Sequence, residues 1–535
     1  MNALAKSIAV GVLIALLGVG VFGRFYSARF GGLILPGSLQ AAEIASHVRQ
    51  GEGLMTSAIY PLALRYAAPN AEGAMPSLWG GPVYSYALSL LFHARGAGDA
   101  SVSLFNGLML LLTGLVIYAI GRGLWDRTVG LLSAALFFVS VDAIGHALTG
   151  SGATFAGLLV TLAIWAAVRS RNAAVETIER DPERRPSIVW PAVTGAFLGI
   201  AWLSGLTSML LAIPLALLAS VGSPSRLRSI GVFAAAMVIV LAPWGVRNVM
   251  VAGTPLPPLA TYELLTNTEA YPGLSIYQQM PSEAPSVLGF AFSNPRQIGE
   301  KMIGALIQVY RGGPGMLTPY LFPFLILAAF IFGRTDFRRS IWRAMIAIFV
   351  LQAISLSVFS NRLDGLAVVM PIAVVLAAGA LVDVLRRMDA TKLTRGGIAA
   401  AIFLLVLFPT ATSMIVGDQM PPARSRANLG LIKEGLTDDA VILTNDPAAV
   451  AWYSNKSAIL LPHSPDALAQ LEQRGLGHHY FYVSRARSAT VPEAALTEWV
   501  EAVRTGGVQK FGQVARLAHP ELFLEVEAKR TTPTG

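Results

Sequence analysis

Gly37-Ser38-Leu39-Gln40-Ala41-Ala42-Glu43-Ile44-Ala45-Ser46-His47-Val48-Arg49-Gln50-Gly51 is the amphipathic part of a polar segment that runs from Arg24 to Gly98. A second piece of that segment is Pro76-Ser77-Leu78-Trp79-Gly80-Gly81-Pro82-Val83-Tyr84-Ser85-Tyr86. Apolar runs flank it, one from Ile8 to Gly23 and one centred near Leu111. With their flanks, both are long enough to cross a bilayer, which takes about 20 mostly apolar residues. The segment is therefore expected to be a large loop between membrane helices. The rest of the chain is expected to be a bundle of hydrophobic helices holding that loop over a cavity, with any chemistry beneath it.

Composition supports a membrane chain. Of 535 residues, 54% are hydrophobic and 13% are charged, and the mean hydropathy is +0.58. Soluble domains carry about 25% charged residues, so the deficit points to a multi-span protein. A net charge of +9 would suggest nucleic acid in a soluble protein. Here the cations cluster in short loops between apolar runs, where they set topology, and no nucleic-acid partner is expected. The chain has no cysteine, which excludes disulfides, thiolate metal sites and a cysteine nucleophile. The first apolar run lacks a small-residue cleavage site at Phe22-Gly23-Arg24 and is expected to be a retained anchor.

About eleven spans are expected on apolar length, centred near Leu16, Leu111, Leu136, Leu159, Phe197, Ile213, Val238, Leu325, Val350, Val374 and Leu404. With the N-terminus inside, the inner loops hold Arg122 and Arg127, the Arg169–Arg185 group, Arg226 and Arg228, Arg334 to Arg343, and Arg386 to Arg395. The short outer turns hold almost only Arg362, which is the positive-inside pattern. Residues 1–416 are thus expected to form a transmembrane all-α domain with outer loops at 24–98 and 248–315. Residues 417–535 are expected outside the membrane as a small α/β domain. There Val441-Ile442-Leu443-Thr444, Ala458 to Leu461 and His479 to Val483 are apolar strands between helical stretches.

Several residues have the chemistry for a site. Pro243-Trp244-Gly245-Val246-Arg247-Asn248 closes a span on the outer side. Proline ends regular helix, tryptophan sits at the interface, and the arginine fork suits a lipid or sugar phosphate. Capping carbonyls or pairing with a headgroup is the plainer role for Arg247. Glu43 and His47 lie four apart on one helix face. They are either an acid/base pair at the cavity mouth or two solvated residues. Asp142 lies near the end of a span, where a carboxylate is costly and is a functional candidate by default; bonding to a neighbouring helix is its alternative. Arg24 and Arg362 could meet phosphate or only anchor the chain. Tyr84 could stack on sugar or belong to an aromatic belt. His478-His479 is a weak metal signal.

The motifs together resemble a bacterial membrane glycosyltransferase of the GT-C superfamily, the class that includes protein mannosyltransferases and lipid A aminoarabinose transferases. Ile44-Ala45 with Gly51-Glu52-Gly53 resembles the first-loop helix of that class. Pro82-Val83-Tyr84 with Leu90-Leu91-Phe92 resembles its second interface helix, and Gly195 to Leu203 its glycine-rich span. Pro243-Trp244 with Arg247-Asn248 and Gly253-Thr254-Pro255 is the most specific match. Asn361-Arg362 before Pro371 resembles a late arginine-bearing turn, and Asn445-Asp446-Pro447 with Ala451-Trp452-Tyr453 an attached outer domain.

The resemblance implies transfer of a sugar from a polyprenyl-phosphate donor to an acceptor on the outer face. A first-loop carboxylate would be the base, and basic residues would stabilise the leaving phosphate. No nucleotide cofactor is implied, and the need for a divalent metal is left open. The chain departs from the pattern at Gly37 and Ser38, where relatives carry an acid, and in the acid-free turn from Ala147 to Thr154. On this basis Glu43 and Asp142 are the candidate catalytic residues. Arg247, Asn248, Arg362, His47, Tyr84 and Arg24 are the candidates for substrate binding, beside membrane lipids. A catalytically inactive relative that binds lipid or glycan, and a transporter, are the alternatives.

Overall fold

The computed structural model describes residues 3–180, 187–223, 225–282, 284–316, 336–359, 363–417, 423–474, 476, 479–483, 497–499, 501, 509–510 and 522–527. Helices of at least eight residues are numbered in chain order. They are α1 (Ala3–Arg29), α2 (Pro36–Gln50), α3 (Val83–Arg95), α4 (Asp99–Leu124), α5 (Arg127–Phe138), α6 (Val141–Leu148), α7 (Gly152–Arg180) and α8 (Val189–Trp202). There follow α9 (Ala212–Ser220), α10 (Arg226–Ala252), α11 (Pro295–Met316), α12 (Asp336–Val358), α13 (Met370–Arg387), α14 (Lys392–Val416), α15 (Ala423–Gly435) and α16 (Pro447–Ser454).

Ten of the expected span centres fall within helices, and Leu325 lies outside the described residues. Fewer helices meet the length and hydropathy needed to cross alone. Five do among the described residues: Gly11–Arg29, Asp99–Leu124, Gly152–Thr177, Arg226–Ala252 and Lys392–Val416. The 26 residues of α4 rise about 39 Å, more than the hydrocarbon core requires. The span expected at Leu136 is a bent pair, α5 and α6, meeting at 54°. The break at Val139 frees a buried carbonyl, and Thr410 of α14 donates to it at 2.6 Å, which keeps the kink satisfied. At 14 and 9 residues, α8 and α9 are too short to cross alone.

Burial separates centre from periphery. The apolar window of α7 is 67% buried, whereas those of α10 and α14 are 22% and 11% buried. Val238, Ile239, Leu404 and Phe408 point outward from α10 and α14, as lipid-facing side chains do. Every residue from Met370 to Val382 in α13 is buried, making it a central helix. Gly195 explains the glycine-rich α8. A Cβ there would meet the Phe233 carbonyl oxygen at 2.1 Å, so α8 and α10 cross in backbone contact. Gly81 acts likewise, its missing Cβ leaving room for the Leu203 carbonyl that accepts from the Val83 amide at 3.3 Å.

The strands are β1 (Met55–Thr56), β2 (Ala58–Ile59), β3 (Met75–Pro76), β4 (Val441–Thr444), β5 (Ser457–Leu460), β6 (His479–Val483), β7 (Gln509–Lys510) and β8 (Leu522–Glu527). β1 and β3 close the first loop on itself as an antiparallel pair. The other six form one sheet in the order β2-β5-β4-β6-β8-β7. Its first four strands are parallel, in the registers Ala58↔Ala458, Ile442↔Ala458 and Ile442↔Tyr480. The edge strand β2 comes from the first loop, so the sheet also takes in chain from before residue 417. One buried cluster joins Ile59, Tyr60 and Leu62 of that loop, Tyr262 and Tyr277 of the second, and Leu443, Phe481 and Trp499 of the C-terminal segment. Both long loops and the sheet therefore share a core. Ile59 is fully buried, so Ile59→Asp strands a charge there, a change that costs several kcal/mol. The expected result is a lowered thermal transition with early proteolysis between residues 53 and 76; unchanged protection of that segment would refute the shared core.

Candidate active site

The first-loop helix α2 starts on Pro36 at its first turn, where a missing N–H costs nothing. It ends at Gly51, whose φ of 87° is the left-handed conformation that favours glycine. The Gly51 and Glu52 amides donate to the Val48 and His47 carbonyls. That turn brings the Glu52 side chain back onto His47.

Glu43 and His47 do come together. His47 Nε2 lies 2.9 Å from Glu43 Oε1, and His47 Nδ1 makes a close contact with Glu52 Oε2. The Ser57 amide also donates to Glu43 Oε1, at 2.6 Å, and Thr56 Oγ1 donates to Oε2 at 2.8 Å. Glu43 is 4% exposed. Three donors, from β1, the β1–β2 turn and its own helix, thus hold the carboxylate. Burial works against a charge on His47, but the hydrogen bonds and charges of Glu43 and Glu52 outweigh it, raising its pKa to about 9. A histidine that is already protonated is not a general base at neutral pH. The pair fastens α2 to the strand entering the sheet.

A second carboxylate, missed in the sequence, organises the same region. Asp99 opens α4. Its Oδ1 accepts from Trp452 Nε1 at 2.7 Å, and its Oδ2 accepts from Tyr453 Oη at 2.8 Å and from the Leu33 amide at 3.3 Å. Trp452 and Tyr453 are presented by α16, which Asp446 caps by accepting from the Ala449 amide and which Asn455 ends in the left-handed conformation. An acid at the first turn of a helix is ordinary capping chemistry, so the sequence around Gly98-Asp99 signalled a helix start and no partner. Between these elements lies a cavity of about 270 Å³, lined by Glu43, Ser46, His47, Gln50, Asp99, Lys433, Trp452, Tyr453 and Asn455, among others.

The remaining candidates are dispersed. Arg247 donates to the Ser77 carbonyl at 2.7 Å and to Asn248 Oδ1 at 3.2 Å, and its guanidinium lies 4.7 Å from the Trp244 ring centre. Asn248 is buried and reaches the Pro255 carbonyl. This hexamer pins the first loop to the C-terminal end of α10. Tyr84 is buried, donating to the Gly150 carbonyl at 2.8 Å and accepting from Asn106 at 2.6 Å, which takes it away from the 270 Å³ cavity. Arg24 is exposed on α1. Arg362 and His478 lie outside the described residues. Asp142 is half-buried on α6, one turn from His146 on the same face. His146 and Ala143 line a small cavity with Thr154 and Pro371.

The two places that lack acids adjoin. A Cβ on Gly150 would lie 3.6 Å from Ser38 Cβ. Ser38 Oγ is buried with no partner among the described residues, and a side chain on Gly37 would enter open space.

This architecture is the membrane fold of the GT-C glycosyltransferases. Residues 79–246 match the family model for dolichyl-phosphate-mannose-protein mannosyltransferase. ArnT from Cupriavidus metallidurans in the apo state is 12% identical, with a TM-score of 0.58 covering 98% of both chains. The same protein bound to undecaprenyl phosphate gives a TM-score of 0.56 at 12% identity and the same coverage. The archaeal oligosaccharyltransferase AglB from Archaeoglobus fulgidus, in complex with an inhibitory peptide and a dolichol-phosphate, is 12% identical, with a TM-score of 0.58 over 90% of this chain and 70% of its own. No curated protein matches the chain in sequence.

Two outcomes test this geometry. The pKa of His47 is raised from 6.5 to about 9. The stabilisation it gives is therefore full below about pH 6.5 and fades as pH rises through about 9, on the order of 3 kcal/mol in all. His47→Gln is expected to flatten the thermal stability profile across that window; an unaltered profile would assign it elsewhere. Asp99→Ala removes a charged acceptor from three donors and is expected to cost about 2–4 kcal/mol, read as a lower melting temperature, with Asp99→Asn intermediate.

Proposed function

We propose that the protein transfers a sugar from a polyprenyl-phosphate donor to a lipid, glycan or protein acceptor on the outer face of a bacterial cytoplasmic membrane. The observation that carries this reading is the end-to-end likeness to a protein solved with undecaprenyl phosphate. The basic inner loops support a cytoplasmic N-terminus and an outer sheet. In the reaction, the acceptor loses a proton to a carboxylate and attacks the anomeric carbon. The bond from that carbon to the phosphate oxygen breaks, and a cation steadies the departing phosphate.

Asp142 takes the part of base, because it is a half-buried carboxylate with no side-chain partner among the described residues. Glu43, already tied to three donors, holds the first loop in place. Arg247, at the junction of that loop with α10, meets the donor phosphate, with Arg362 as a second cation. The reading calls for no cofactor. One observation favours a second reading, a catalytically silent relative that binds lipid or glycan: Ser38 adjoins Gly150 of the acid-free turn, and the resemblance implies an acid at Gly37 or Ser38.

The test is transfer of radiolabelled sugar from a panel of polyprenyl-phosphate donors by the purified chain in lipid. Asp142→Asn is expected to lower transfer by at least about a hundredfold and Arg247→Ala by at least about tenfold, with folding intact. Glu43→Gln is expected to lower thermal stability more than transfer. No transfer from any donor, with undecaprenyl phosphate still bound, would overturn the enzyme reading in favour of the silent one.

A further inference from the structure

The cavity beside Asp99 has no part in the transfer chemistry above, yet its lining is built to receive something. It lies where α2, the turn before α4, and α15 and α16 meet. Two of its walls are aromatic, and both are locked. Asp99 holds the indole N–H of Trp452 and the hydroxyl of Tyr453, while Phe92 stacks against Trp452 at 6.2 Å. Rings fixed before a ligand arrives lose little entropy when it binds. The rim is polar. Ser46, Gln50, Lys433 and Asn455 supply hydroxyl, amide and amine groups, and Lys433 and Asn455 have no side-chain partner among the described residues. The lining charges balance, with two carboxylates, Glu43 and Asp99, against two cations, His47 and Lys433.

That combination discriminates among ligands. A phosphate or an acidic lipid headgroup would need an excess of positive charge, and a lipid tail would need an apolar wall. A hydroxyl-rich, uncharged molecule with one apolar face fits fixed aromatic rings and scattered donors and acceptors. We propose that this cavity is a saccharide-binding subsite that takes an uncharged sugar unit of the acceptor.

Position gives it a purpose. Ser38, beside Gly150, and Ser46, on the cavity rim, are eight residues apart on α2, a rise of about 12 Å. A short glycan could lie along α2 with its growing end at the membrane level and an inner sugar in the cavity. Binding energy gained at such a remote unit can be used to hold the reacting end in place. In naming the acceptor, this inference rests on the transfer reading; the binding itself does not.

The experiment uses the full chain in lipid nanodiscs and saturation-transfer NMR. The probes are methyl glycosides of hexoses, N-acetylhexosamines and pentoses, with a neutral tripeptide as comparison. At least one glycoside is expected to bind, with a Kd weakened at least tenfold in Trp452→Ala and less in Trp452→Phe. Gln50→Trp fills the mouth from an exposed position and is expected to abolish binding without lowering the melting temperature. That second variant keeps the test valid should Trp452→Ala misfold. Failure of every glycoside to bind, binding of the tripeptide in their place, or glycoside binding indifferent to Gln50→Trp would overturn the proposal. Glycoside binding blocked by Gln50→Trp, in a chain that transfers from no donor, would uphold the subsite and sink the transfer reading. Transfer without glycoside binding would do the reverse.

Discussion

The half of the molecule that holds the sheet depends on one carboxylate placed where three pieces of chain converge. Asp99 stands at the first turn of α4 and gathers the amide of Leu33, the indole of Trp452 and the phenol of Tyr453. Leu33 precedes α2, and the two aromatics end α16. A membrane helix, the first loop and the sheet are thus referred to the same pair of oxygens. Charged hydrogen bonds of this kind are stronger than neutral ones. Several on one residue fix orientation as well as contact.

The Glu43–His47–Glu52 group does a related job at the other end of α2. Two carboxylates around one imidazolium hold a charge that burial alone would suppress, and the rest of the Glu43 carboxylate is tied to Thr56 and Ser57. From their spacing on one helix face, Glu43 and His47 are either an acid/base pair or two solvated residues. The structure ties the acid to three donors, and the carboxylates around His47 favour its protonated form. Elsewhere Ser38 of α2 adjoins Gly150, and Asp142 stands half-buried on α6.

Much of the fold was legible because bilayers impose a simple rule: runs of Leu, Val, Ala and Ile with little charge become helices. The amphipathic piece from Gly37 to Gly51 became α2, and the short apolar runs at Val441, Ala458 and His479 became strands. The kink between α5 and α6 was hidden, since Val139-Ser140 differs little from the apolar sequence around it and the partner of its free carbonyl, Thr410, is far along the chain. β2 was invisible for a similar reason. Ala58-Ile59 is two residues long and has strand character only when Ala458-Ile459 lies beside it. Asp99 was overlooked because a capping acid and a three-way anchor are the same letter in a sequence.

The place of β2 has a consequence for biogenesis. Its residues leave the ribosome early, between the first two membrane helices, while β5 and β4, against which it is sheltered, are made near the end of the chain. Such distant pairing closes slowly. Until it closes, the first loop presents an unfinished strand edge, the feature by which β-proteins stick to one another. Premature termination anywhere before residue 457 would leave that edge permanently bare. A truncated product would therefore be a target for cellular quality control even with every membrane helix in place.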